Sequence, residues 1–434
     1  DSSIRNVVPN DLSEILGNAD IRQIFCNGAK SYEYYRKYQE KETGRKAVKL
    51  PSTSPANAAF SIEKLTREWK EICVPLQVAP FGIGEVLLKW YDYNARILPW
   101  RSEPTPYHVW ISEIMLQQTR VEAVKKYYER WMSVLPDVKD LSEVSDEELM
   151  KLWEGLGYYN RARNLKIAAI QIMQDFNGEI PEDYSKLLSL KGIGEYTAGA
   201  IASIAFGIPE PAVDGNALRI FSRILAEDGE INKALVKKKI TQEVRRVLPK
   251  ERPGDFNQAL MDLGSSICIP NGKPFCENCP WESICQAHKY GREMDFPVKA
   301  KKKKRRIEEK AVFLIEVSDK IVLHKRPEKG LLRGMWELPN VAINSTEEGF
   351  SSKKICEQIK KWGIVDYMIE PLGEGKHIFS HVEWQMRGYR LQMQNISDEI
   401  LKKEEWIVVS NKDLEEKYAI PSAFECYRKQ IYRK

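Results

Sequence analysis

Two carboxylates stand where proton and charge chemistry is possible. Glu113 lies in Trp110-Ile111-Ser112-Glu113-Ile114-Met115. A carboxyl among apolar side chains is a candidate for a raised pKa and so for a proton donor near neutral pH. Helical periodicity alone would equally let Glu113 face solvent. Asp214 lies in Ala212-Val213-Asp214-Gly215-Asn216, after a turn marked by Pro209 and Pro211. An Asp in that setting suits a helix N-cap. Buried at a helix mouth, the same carboxylate can stabilise a cation.

Four of the eight cysteines fall in one loop, Cys268-x7-Cys276-x2-Cys279-x5-Cys285. Such a loop suits a structural zinc or a [4Fe–4S] cluster. Zinc loops usually bring two close pairs across a longer spacer. Only the middle spacing is such a pair here, so the unequal spacings favour wrapping a cubane. Lys273, near the middle of the loop, gives it a charge suited to phosphate. Cys26, Cys73, Cys356 and Cys426 occur singly and are expected to be buried small hydrophobes. In Leu190-Lys191-Gly192-Ile193-Gly194-Glu195-Tyr196 two glycines one residue apart make a tight turn. Its N–H groups and the positive end of the next helix suit one phosphate oxygen. An ordinary turn is the alternative.

These residues need elements to hold them. The chain has 434 residues, enough for about three domains. The hydrophobic fraction of 43% supports several cores, and 11 Trp, 19 Tyr and 13 Phe argue against extended disorder. No run approaches the roughly 18 apolar residues of a membrane span. A net charge of +5 from 67 basic and 62 acidic residues is too mixed to announce a nucleic-acid partner. Short strands (Ile21 to Cys26, Ala47 to Leu50) alternate with helices (Tyr32 to Glu42, Ala58 to Ile72) over residues 1–75, a piece of a parallel sheet. Residues 80–290 are dominated by helical periodicity, including one run from Val109 to Val134. Residues 291–310 hold a basic linker, and residues 311–434 read as an α+β domain.

Taken together, the motifs resemble one family. Pro99-Trp100-Arg101, Glu113 to Val121, Trp153-Glu154-Gly155-Leu156-Gly157-Tyr158-Tyr159, the Gly192/Gly194 hairpin, Glu210 to Asn216 and the cysteine loop occur in the order found in adenine DNA glycosylases of the MutY type, within the endonuclease III superfamily. The resemblance covers about residues 80 to 434. It implies an all-α helix-hairpin-helix core with a [4Fe–4S] loop, followed by a Nudix-like domain. It implies a monofunctional glycosylase that flips adenine out of a mispair with 8-oxoguanine or guanine in double-stranded DNA, the alternatives being a bifunctional glycosylase-lyase of the endonuclease III kind and a catalytically silent lesion-binding protein. Glu113 would be the general acid. Asp214 would stay ionised and stabilise the oxocarbenium-like sugar, with Asn216 orienting it. Gln118 and Tyr158 would fill or wedge the space beside the lesion pair, and Gly192, Gly194 and Lys273 would meet DNA phosphates. Tyr196 takes the place of the lysine that forms a Schiff base in bifunctional relatives. The first cysteine spacing is x7 where the family usually has x6.

In the C-terminal domain Gly334-Met335-Trp336-Glu337-Leu338-Pro339 looks like a Nudix strand edge, but the helix near Ser351 to Lys361 is basic and lacks paired glutamates. Binding therefore fits better than metal-dependent hydrolysis. His377-Ile378-Phe379-Ser380-His381 resembles the loop that reads 8-oxoguanine, with Phe379 as wedge and Ser380 and His381 as contacts. Residues 1–75 resemble the C-terminal half of a hypoxanthine-type uracil-DNA-glycosylase-superfamily domain, on Ile24 to Gly28 and Leu50 to Asn57. The chain begins at Asp1, and that resemblance implies a natural chain continuing upstream as a two-glycosylase fusion. A monomer is expected, with no membrane partner. The location would be cytoplasmic and nucleoid-associated in a prokaryote, nuclear or mitochondrial in a eukaryote.

Overall fold

The computed structural model describes residues 7–19, 21–57, 59–73, 82–300, 304–343 and 351–431. The chain forms two compact units, each made of two segments: residues 1–96 with 202–300, and residues 97–201 with 301–434.

The first unit opens on two parallel strands, β1 (Ile24–Asn27) and β2 (Ala47–Leu50), paired Ile24 to Ala47 through Asn27 to Leu50. Parallel strands need a crossover, supplied by the Ala29–Tyr38 helix. Gly28 makes the turn between strand and helix at φ +93°, and a Cβ there would press on Ser52 Cβ at 3.2 Å. The Asn27 side chain pins the loop after β2, donating to Thr53 Oγ1 and accepting from Thr53 N, both at 3.0 Å. The helical part of this unit packs Leu87, Phe221, Ile240, Val244, Phe256, Leu260 and Trp281 into one core. The Trp281 indole satisfies its N–H on Ile83 O at 2.9 Å.

The second unit joins the helices between Pro99 and Ser189 to a seven-stranded sheet. Trp110, Trp131 and Trp153 are fully buried among the helices, the last two edge to face at 5.5 Å. The sheet holds β3 (Arg306–Val317), β4 (Lys320–Lys325), β5 (Trp336–Glu337), β6 (Asn340–Ile343), β7 (Met368–Ile378), β8 (Val382–Met393) and β9 (Trp406–Val409). The order is β5-β4-β3-β8-β7, with β6 on β3 and β9 on β4. Within this sheet, among the described residues, only β3 and β8 pair in parallel. β3 is buried on both faces, Val312 and Leu314 in one core and Ala311, Phe313 and Ile315 in another. That is why it reads as a continuous apolar run.

The fold class read from the sequence matches this architecture, with differences in detail. The segment read as linker contains the start of β3: Arg306 already pairs with Val382. β7 has no counterpart in the reading because Pro371, Gly373 and Gly375 lie in it, and its register shifts between Pro371 and Gly373. Cys356 and Cys426 are exposed and only Cys26 is buried, so the single cysteines are not uniformly core residues. Lys301 to Lys303 of the basic linker lie outside the described residues. Among the described residues, no helix is long and apolar enough to cross a membrane.

Candidate active site and cysteine loop

Glu113 is carried by the Pro106–Leu116 helix. Thr105 caps its start through Oγ1, accepting from His108 N at 3.2 Å, and Pro106 occupies the first turn. Tyr107 and Val109 through Met115 are all buried, so the helix is embedded on every side. Glu113 is 4% exposed, and the Tyr196 hydroxyl donates a short hydrogen bond to its Oε2. The solvent-facing alternative for Glu113 is thereby excluded.

The sequence suggests one helix from Val109 to Val134. The structure holds two, ending at Leu116 and restarting at Val121. Gln118, at φ +59°, reverses the chain and is exposed. A helix that stops leaves carbonyls without partners. Arg161 supplies them: Nη1 donates to Ile114 O, Met115 O and Gln117 O at 2.6, 3.0 and 2.7 Å. Its Nη2 donates to Leu156 O and Gly157 O at 3.0 and 3.1 Å. Burial pulls this guanidinium down to about 10, still charged at neutral pH. It lies 5.1 Å from the Trp153 ring centre and 5.7 Å from that of Tyr158. One arginine, absent from the sequence reading, thus ties the helix of Glu113 to the turn bearing Tyr158.

The glycine hairpin joins the Tyr184–Ser189 and Glu195–Phe206 helices. Gly192 takes φ +82°, and a Cβ there would lie 2.7 Å from Asn164 Cβ. Gly194 has nothing within 4 Å of its Cβ position, leaving its backbone open to close approach. Tyr158 is 50% exposed, and its hydroxyl lies 3.4 Å from Ser380 Oγ. Ser380 and His381 are exposed at the β7–β8 turn, closed by Phe379 N to Val382 O at 2.8 Å. Phe379 is half-buried between His377 and Trp384, with ring centres at 4.6 and 4.8 Å. Burial lowers the His377 pKa, favouring the neutral ring.

In the other unit, Asp214 is both things the sequence allows, a cap and a semi-buried carboxylate. Its Oδ1 accepts from Asn216 N and Ala217 N, each at 2.8 Å, at the start of the Gly215–Leu225 helix. Its Oδ2 accepts from Asn216 Nδ2 at 2.6 Å. Burial pushes its pKa up, opposed by these hydrogen bonds and by the Arg219 charge. Asn216 is held in turn by Arg219 Nη2 on its Oδ1 at 2.8 Å. Gly264 makes the room, since a Cβ there would fall 2.5 Å from Asn216 Cβ. Asn257, fully buried, orders the approach to Asp214 by donating to Ser203 Oγ and Glu210 O and accepting from Ala212 N.

The same helix reaches the cysteine loop. Arg219 Nε donates to Cys268 O at 2.8 Å, and Arg223 Nη1 donates to Cys268 Sγ at 3.1 Å. Arg223 also donates to Ile269 O, Glu293 O and Phe296 O. Sequence reasoning missed both arginines. Their signal was the i, i+4 spacing on the buried face of a helix starting at Asp214. Burial raises the thiols, Cys276 to about 11 and Cys279 and Cys285 to about 12, and each also feels neighbouring cysteines of the loop. Such thiols release their protons only to a strong positive charge, which a bound metal supplies. His288 and Glu293 join Cys276 in a compact trio of donors, with His288 Nδ1 2.6 Å from Glu293 Oε1. Lys273 is exposed in the loop.

An embedded acid, a capped aspartate, a glycine hairpin and a four-cysteine loop place the chain in the class of helix-hairpin-helix DNA repair proteins. Residues 111–246 match the HhH-GPD superfamily base excision DNA repair protein family, and residues 311–430 match the NUDIX domain. The chain is 33% identical over 413 residues to the adenine DNA glycosylase of Mus musculus, spanning 80% of each chain. It is 34% identical over 396 residues to that of Homo sapiens, spanning 76% of this chain and 72% of the other. For that of Schizosaccharomyces pombe the identity is 32% over 401 residues, spanning 76% and 85%. The chain belongs to the adenine DNA glycosylase family.

Proposed function

We propose that this chain hydrolyses the N-glycosidic bond of adenine mispaired with 8-oxoguanine or guanine and leaves an abasic site uncut. The observation that carries this reading is Glu113, a nearly inaccessible carboxyl gripped by the hydroxyl of Tyr196. A proton donor there makes adenine a neutral leaving group. A phenol beside it cannot form the imine through which a lysine would open the sugar and cut the strand. Asp214, fixed by two N–H groups and Asn216, stabilises positive charge on the sugar as the base departs. The open backbone at Gly194 and the exposed Lys273 supply phosphate contacts that position without reading sequence. Ser380 and His381 are exposed next to the half-buried Phe379, as a lesion-reading turn would be, with Ser380 beside Tyr158. One chain carries all these groups, so the reading needs no second copy.

The cofactor is a [4Fe–4S] cluster held by Cys268, Cys276, Cys279 and Cys285. Tetrahedral zinc with Zn–S near 2.3 Å would bring the sulfurs to about 3.8 Å. Among the described residues, the group of three or more donors within 4.8 Å of one another is Cys276, His288 and Glu293, with no such trio of cysteines. The unequal spacings of the four cysteines along the chain support a cubane over zinc. When bound, the cluster supplies the positive charge that the raised thiols require and staples the loop carrying Lys273. Purified protein is expected to hold about four irons per chain with broad visible absorbance. Stoichiometric zinc would count against the assignment.

The activity is tested by single-turnover incubation with an adenine:8-oxoguanine duplex, with and without hot alkali. Strand cleavage only after alkali supports the reading. No adenine release would sink it. Borohydride trapping of the chain on DNA would replace it with a glycosylase-lyase.

A further inference from the structure

The turn at residues 153–159 is gripped from two sides. Glu154 begins it, with its side chain 13% exposed. Its Oε1 accepts from Ile420 N at 3.0 Å and from Arg428 Nη1 at 2.7 Å. Its Oε2 accepts from Lys151 Nζ at 2.8 Å. Lys151 also donates to Leu414 O and Tyr418 O at 3.2 and 3.3 Å. Glu154, together with its partner Lys151, therefore gathers the backbone of residues 414–420 and the C-terminal Glu425–Ile431 helix of the sheet domain.

The turn is stiff. Gly155 takes φ +100°, and a Cβ there would lie 2.1 Å from Tyr127 Oη. The Trp153 indole donates to Gly157 O at 3.0 Å, and Arg161 holds Leu156 O and Gly157 O from beyond. Tyr158 follows at φ +48°, facing Ser380.

We propose that Glu154 is a positioning residue for 8-oxoguanine discrimination: through it the C-terminal domain holds the turn that carries Tyr158 in register with Ser380. This rests on the reading of residues 377–381 as the lesion-reading loop. An exposed ion pair would contribute little. This one is largely buried and also accepts a backbone N–H. Removing it takes this acceptor from the Arg428 guanidinium and the Ile420 amide in a poorly solvated place and leaves Lys151 with carbonyls alone. The strain is relieved when Ile420 and the Glu425–Ile431 helix draw away from the turn, which loosens Tyr158 against Ser380. A duplex with 8-oxoguanine uses that register. One with plain guanine presents no altered edge to read and is spared.

Single-turnover adenine excision from A:8-oxoguanine and A:guanine duplexes tests this in the full chain. Glu154→Ala is expected to lower the ratio of the two rates about fivefold, while the A:guanine rate stays within about twofold. Glu154→Gln keeps an acceptor for Ile420 N and Arg428 and should restore most of the ratio. Equal loss on both duplexes, or an unchanged ratio with a lowered melting temperature, overturns the proposal by making Glu154 a structural pair only. Should Glu154→Ala fail to fold, Arg428→Met carries the same comparison with the same two outcomes. Ser380→Ala separates the premise: if it leaves the wild-type ratio unchanged, the lesion-loop reading is wrong and the proposal falls with it.

Discussion

Asp214→Asn is expected to bind the mispaired duplex about as well as the parent and to release adenine about a thousandfold more slowly. The substitution removes the negative charge while keeping an oxygen for Asn216 N and Ala217 N. Asn caps helices as well as Asp does, so the Gly215–Leu225 helix should stand. Burial raises the Asp214 carboxyl, so its ionised form costs the folded state free energy at pH values above its raised pKa. The variant loses that cost, and its melting temperature should lie within about 3 °C of the parent's. The same shift fixes a pH dependence. On the proposed role activity needs the carboxylate and is lost as pH falls through the raised pKa, so the acid limb should lie above the ordinary Asp value of about 3.9. Asn216→Ala removes a hydrogen bond that holds the pKa down and should move that limb further up. A limb that stays fixed would mean another group limits the rate. Full activity of Asp214→Asn would remove the aspartate from the chemistry.

Glu113→Gln is expected to slow excision about 10²- to 10⁴-fold, the usual worth of a positioned general acid. Gln has the same shape and an oxygen for the Tyr196 hydroxyl, so the buried contact survives and only the transferable proton is lost. The diagnostic control is a substrate purine already carrying positive charge on its imidazole ring. Such a base leaves without protonation, and the gap between Glu113→Gln and the parent should close on it. A gap of equal size on both substrates would show that the change damages binding or packing instead.

The sequence by itself specified the candidate residues for the chemistry and the stretches most able to hold them. Lys320–Lys325 and Ala47–Leu50 were readable as strands because each is a short apolar run bounded by turn residues. Glu113, Asp214, the glycine hairpin and the cysteine loop were readable because residue type and short spacing carry the signal. The break at residues 117–120 was not readable. No Gly or Pro punctuates it, Ile114, Val121 and Val124 keep a helical spacing across it, and the group that satisfies the broken helix end is Arg161, more than forty residues away.

Tertiary structure alone decided four further matters. It buried Glu113, because periodicity cannot tell a helix packed on one side from one packed on all. It aimed Arg219 and Arg223 at the cysteine loop, where their charges meet a carbonyl and a sulfur from another part of the chain. It left Cys356 and Cys426 at the surface. It brought Ile420 and Arg428 onto Glu154, a residue that by sequence is merely one acid in a turn. Local pattern fixes which groups are present. Their protonation, partners and rigidity follow from desolvation and from hydrogen bonds between segments far apart in the chain, which no short stretch of sequence contains.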